Sequence, residues 1–344
     1  MKFVKTHFGS YENQKVIKYT LENDHGTKIG VLNYAGIWQE FSVLEHGQRR
    51  QLLLQSDSIQ NYTNNDLYMN RVIARTAGRI RNGRFSLNDQ NIQTSQNENK
   101  HSLHGGENGF AKQFFDVITH PDQGQIVLKK TLTESDDTFP GSLDLTVIYT
   151  LTESDKVTIS FIGKQTAADG VFNPTMHAYF NLAEETVHDI QGHDLWLNSQ
   201  QHLEMDAQKI PTGQLISNQA AFDLKNNPNL GQALTSLQKA VPEAGFDDVF
   251  VIDGHAKGPI AHLTDRQSNY EIAIYSKRNA LVVYTANGLH DDLSLNHGGG
   301  QPWIGVALEA QTLPNSENIP SFGDVTLAQD SQRKESISYQ FLAN

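Results

Sequence analysis

Apolar and polar positions alternate with a period of two along much of this chain, the spacing that sends successive side chains to opposite faces of a sheet. Leu143, Leu145, Val147, Tyr149 and Leu151 alternate with mostly polar partners. After the turn residues Glu153-Ser154-Asp155, a second series runs Val157, Ile159, Phe161. Together they predict a β-hairpin. Residues 269–274 and 280–285, joined across Ser276-Lys277-Arg278-Asn279, predict another, and 85–87 with 92–94 a third. Residues 249–252, 306–309 and 336–341 read as further short strands, with Glu309 closing its own. Helical spacing is scarce, and 229–240 is its best stretch. Short strands separated by turn residues predict an all-β chain, a large antiparallel β-sandwich with few short helices. The βαβ rhythm of a Rossmann or barrel enzyme is missing.

The length of 344 residues fits either two average domains or one large β domain. No Pro- or Ser-rich linker divides the chain, so 1–344 is expected to form a single domain. Thr-Glu-Ser-Asp occurs at 133–136 and at 152–155, which reads as two similar turns and not a repeat. Hydrophobic residues make up 38%, enough for a sizeable core. The net charge of −12, without any basic run, argues against a nucleic-acid or anionic-membrane partner and for a neutral small molecule. There is no cysteine, which excludes disulfides and thiol chemistry. Neither a signal-peptide core nor an apolar run of about 20 residues occurs, so a soluble cytoplasmic protein is expected.

Several polar clusters are candidates for chemistry, and each has a structural reading beside the functional one. His101-Ser-Leu-His104-Gly-Gly reads first as a loop turned by its glycines. The histidine spacing there lacks any supporting metal-ligand frame. His177, set among aromatics, reads first as a hydrogen-bonded structural histidine. Asp247 and Asp248 fit a turn before a strand. Arg75 and Arg79 fit a solvated pair. Glu309 follows the apolar run 304–308, where a carboxylate needs a partner or a task, and both readings stand. His297-Gly-Gly-Gly lacks the lysine and helix of a phosphate loop and reads as a mobile loop. No G-x-S-x-G nucleophile motif occurs.

Taken in order, these segments resemble the aldose 1-epimerase (galactose mutarotase) family. Ala77-Gly78-Arg79-Ile80 resembles its arginine segment, HSLHGGENGF at 101–110 its histidine–glycine signature, and NPTMHAYFNL at 173–182 its catalytic histidine segment. IPTGQL at 210–215, AFDLK at 221–225, GFDD at 245–248, YTAN at 284–287 and LEAQTLPNSEN at 308–318 continue the order. Residues 1–70 carry the least of it. The resemblance implies a galactose mutarotase-like sandwich with a sugar cleft. It implies Glu309 as general base at the anomeric hydroxyl and His177 as general acid at the ring oxygen. Arg79, His104 and Asp247 would hold sugar hydroxyls, and Tyr284 would form an apolar wall or sit in the core. His101 and Asp248 rank as neighbours. A nearby carboxylate is expected to keep His177 protonated. No cofactor or metal is needed for such proton transfers, and a monomer or homodimer is expected.

Four positions depart from the family pattern: Gly78 stands where asparagine is common, Val282 for glutamine, Asn315 for aspartate and Ala286 for glycine. They leave open an epimerase for another sugar such as maltose. A non-catalytic carbohydrate-binding protein on the same fold is a further alternative. A hexose-6-phosphate epimerase is disfavoured, because no basic cluster awaits a phosphate.

Overall fold

The computed structural model describes residues 1–253, 257–290 and 292–343. Three antiparallel sheets carry the architecture. The strands Lys2–Tyr11, Gln14–Glu22, Lys28–Leu32, Trp38–Glu45 and Gln48–Gln51 form a five-stranded meander. An eight-stranded sheet runs Asp116–His120, Gln125–Leu132, Ser142–Leu151, Lys156–Thr166, Gln332–Ala343, Tyr270–Ser276, Ala261–Asp265, His193–Leu197. A six-stranded sheet runs Tyr179–Phe180, Val306–Gln311, Ala280–Tyr284, Asp247–Ile252, Ser199–Met205, Pro211–Ser217.

The alternation read from the sequence is the alternation of burial. Leu143, Leu145, Val147, Tyr149 and Leu151 are all buried, as are Val157, Ile159 and Phe161 on the paired strand. They meet Leu281, Val283, Val306, Leu308 and Ala310 of the six-stranded sheet in one hydrophobic cluster, which also takes in Trp38 and Phe41 of the meander. Apolar burial on facing sheets holds the layers together, at roughly 25 cal/mol per Å² removed from water. Helix Leu230–Ala240 forms as expected, with the Asn229 side chain capping its start by accepting from the Gln232 N–H.

Residues 269–285 do not form the expected hairpin. Tyr270–Ser276 pairs with Gln332–Ala343 in the eight-stranded sheet, whereas Ala280–Tyr284 pairs with Val306–Gln311 in the six-stranded one. The short connection crosses between layers. His297-Gly300, expected as a mobile loop, has His297 buried with Nδ1 on the Val187 carbonyl, and Gly298–Gly299 pairs with Ser294–Leu295. Arg75 and Arg79 are no solvated pair. Arg75 is fully buried, bonded to Asp137 at 2.8 Å and to the carbonyls of Leu132, Pro140 and Gly141. Asp137 ends the short helix Glu134–Asp137, whose capping box is the first Thr-Glu-Ser-Asp; the second closes the hairpin at Thr152. The two turns therefore differ in kind.

Candidate active site

The six-stranded sheet builds the floor of the site with the face that points away from the core. Along Val306–Gln311, Val306, Leu308 and Ala310 enter the main cluster, so Glu309 and Gln311 leave on the other side. The strand runs two residues beyond Glu309, which therefore sits within it and not at its end. Register brings Val282 opposite Glu309, and Asp247 opposite Tyr284. Segments between residues 66 and 104 cover this face, and a cavity of about 220 Å³ remains beneath them. Arg79, His104, His177, Asp247, Tyr284 and Glu309 all line it.

His177 lies between the short strands Thr175–Met176 and Tyr179–Phe180. Its backbone N–H donates to the Arg71 carbonyl, and its carbonyl accepts from the Asn70 N–H. The ring stacks on Tyr179 with centroids 5.1 Å apart and meets His104 edge-on at 5.2 Å. Its Nε2 approaches Glu309 Oε1 at 3.4 Å. The partner atoms His177 Nδ1 and Glu309 Oε2 have no hydrogen bond, although both are buried.

Burial governs the charge of this pair. It pushes Glu309 up to about 8, helped by the charge of Asp247 and opposed by Arg79. It pushes His177 down to about 3. Burial thus lowers His177 and raises Glu309, the opposite direction from the expectation that a neighbouring carboxylate keeps His177 protonated. His104 is likewise driven well below its ordinary value by burial, then by His177 and Arg79. Its Nδ1 accepts from the Gly78 N–H at 3.3 Å, which leaves Nε2 as the protonated nitrogen.

Local backbone explains the histidine–glycine segment. His104 takes φ 50 and Gly105 φ 88; a Cβ on Gly105 would lie 2.2 Å from the Ala74 carbonyl oxygen. Only glycine permits that approach. Arg79 is held by Glu98 through a two-pronged bond at 2.5 and 2.8 Å. Tyr284 accepts the Gly288 N–H at 2.8 Å through its hydroxyl, and its ring lies edge-on to Tyr179. Tyr284 thus both lines the cavity and packs.

His101 and Asp248 do not line the cavity. His101 Nδ1 accepts from the Asn82 N–H and its Nε2 meets Gln208. Asp248 alternates to the opposite face from Asp247, where burial raises it to about 6. Asn315 is a turn residue that accepts from the Arg81 N–H. The sequence reading missed Tyr68, Glu98 and Gln311 as wall residues. Gln311 alone carried a signal, its place two residues from Glu309. One donor atom each from His104, His177 and Glu309 lies within 4.8 Å of the others. Two imidazoles and a carboxylate suit zinc, but the Arg79 charge acts on both His104 and Glu309 and opposes a second cation.

Residues 18–340 match the family described as aldose 1-epimerase. The chain belongs to the aldose 1-epimerase family. It is therefore placed among sugar isomerases. Over 344 residues it is 35% identical to a maltose epimerase of Levilactobacillus brevis, covering 99% of each chain. It is 32% identical to an aldose 1-epimerase of Streptococcus thermophilus, covering 97% of this chain and 96% of that one. A galactose 1-epimerase structure from Lactobacillus acidophilus superposes with a TM-score of 0.85 at 24% identity, covering 100% of this chain and 99% of the other. That likeness establishes the galactose mutarotase-like fold. No helix among the described residues is long and apolar enough to cross a membrane.

Proposed function

We propose that this epimerase interconverts the α and β anomers of free hexoses such as galactose and glucose, with Glu309 as general base and His177 as general acid. The supporting observation is the His177–Glu309 contact of 3.4 Å on the floor of a cavity that also presents Arg79, His104 and Asp247. The base takes the proton of the anomeric hydroxyl while the bond from the anomeric carbon to the ring oxygen breaks. The acid protonates the ring oxygen. Rotation of the freed aldehyde and the reverse steps close the ring on its other face. Each positioned proton transfer contributes typically about 10²–10⁴-fold.

The reaction needs the carboxylate and the imidazolium. That form holds the same single proton as the neutral resting pair, so it is reached by transfer within the pair. Sugar hydroxyls donating to Glu309, with Arg79 nearby, favour the ionised carboxylate. Arg79 and the Nε2–H of His104 donate to sugar oxygens while Asp247 accepts, so the set reads hydroxyl direction. Tyr284 supplies an apolar wall. One core cluster shared by all three sheets supports a single domain over 1–344.

Polarimetry on α-galactose, α-glucose and maltose, with wild type and Glu309→Gln, tests the proposal. Wild type should accelerate the approach to equilibrium and Glu309→Gln should not. Near-normal activity in the variant sinks the base assignment. Sugar binding without any acceleration by wild type would make this a carbohydrate-binding protein. A second reading, an epimerase for maltose, draws on the Levilactobacillus brevis relative and on the altered positions Gly78 and Val282. A maltose rate well above both hexose rates would favour it.

A further inference from the structure

One polar group in the cavity has no part in the acid–base scheme. Gln311 follows Glu309 by two residues on the same strand, so both side chains leave the sheet on one face. It is fully buried and lines the cavity. Its Oε1 has no hydrogen-bond partner, and its Nε2 makes only a 3.3 Å contact with the Thr312 carbonyl. Two positions of the cavity wall supply no polar side chain, Gly78 and Val282. Val282, opposite Glu309, is apolar. Gly78 sits at φ 75, and a Cβ there would lie 2.5 Å from Pro314 Cβ and 3.3 Å from Gln311 Nε2. Gly78 thus packs close against the Gln311 amide and Pro314 and leaves no room for a side chain of its own. A buried acceptor without a donor is unfavourable, and native structures leave few of them. The cavity is the place from which a donor can arrive.

We propose that Gln311 is a specificity-determining residue of the sugar site, its Oε1 accepting a hydrogen bond from one ring hydroxyl of the substrate. This assignment rests on the epimerase reading above. It makes Gln311 the polar contact on a wall where Gly78 and Val282 supply none.

The test compares kcat/KM for the preferred hexose and for its monodeoxy derivatives, each lacking one hydroxyl. Wild type should discriminate about tenfold against the derivative lacking the Gln311 hydroxyl, the size of one neutral hydrogen bond. Gln311→Met should bring that one ratio near unity while the ratios for the other hydroxyls stay. A general loosening of the strand would instead move all of them together. If Gln311→Met does not fold, Gln311→Asn, which withdraws the amide by one methylene, is read in the same way. A folded variant that leaves every ratio at its wild-type value, or shifts them all alike, overturns the assignment. If wild type accelerates no sugar, the epimerase reading fails first and this assignment with it. If wild type is active and the ratios do not respond, only the role of Gln311 falls.

Discussion

Among the described residues, two ion pairs of an acid and a nitrogen base are buried on both sides, and they are built to opposite ends. Arg75 and Asp137 meet at 2.8 Å, and three backbone carbonyls take up the rest of the guanidinium. His177 and Glu309 meet at 3.4 Å, and each keeps one polar atom unpartnered. In the first pair the hydrogen bonds are completed within the fold, tying the turn after Glu134–Asp137 to the segment that leads into the site. In the second they are left incomplete; burial moves the groups of both pairs toward their neutral forms, so the unpartnered atoms are what set the second pair apart. A satisfied buried pair holds structure. An unsatisfied one beside a cavity holds capacity for protons and for a ligand.

The contrast breaks most sharply at the second pair. Glu309→Gln should lower the mutarotation rate by about 10²–10⁴-fold while the circular dichroism spectrum stays that of wild type. His177→Asn should lose activity on the same order, measured by the same polarimetric assay. The first pair should answer in stability instead. Arg75→Met leaves Asp137 buried and alone, and denaturant unfolding should show a loss of about 3–5 kcal/mol. If Arg75→Met left stability unchanged but removed activity, the division between the two pairs would be wrong.

Smaller effects sharpen it. The pair works with one proton, so kcat/KM should fall as pH rises through about 8, where Glu309 loses that proton in the free enzyme. It should fall again only in strong acid, toward about 3, as His177 takes a second. A rate that climbs steadily from neutral pH to above 8 would contradict a shared single proton. The smallest effect is on stability. Glu309 is raised in the folded state above its ordinary 4.5, so its contribution is fully present below 4.5 and lost as pH rises through about 8. Glu309→Gln removes the burden of a buried carboxylate. Its melting temperature should exceed that of wild type most clearly above pH 8, and by least near pH 5.

Much of this was legible in period and composition. Ser142–Leu151 and Lys156–Thr166 pair as their alternation requires, because each inward residue has only one apolar face to enter. Leu230–Ala240 was legible as a helix because its spacing is local, as is its cap, made by a side chain three residues from its donor. Tyr270–Ser276 and Ala280–Tyr284 were legible as strands but not as members of different sheets. Alternation is identical whether the next strand pairs in plane or crosses the core, and the choice lay with distant partners, Gln332–Ala343 and Val306–Gln311.

The site divides in the same way. Sequence by itself determined the kinds of group available: a carboxylate on an apolar strand, histidines beside glycines, an acidic chain without thiols. The unbroken apolar run before Glu309 left its face of the strand open, because without alternation neither face is marked. Only the tertiary structure decided that this face would be covered, that His177 would come within 3.4 Å of Glu309, and that burial would push both groups toward their neutral forms. The reason is physical. Residue type and spacing act locally, whereas desolvation depends on every atom that closes over a group, and those atoms come from segments far apart in the chain.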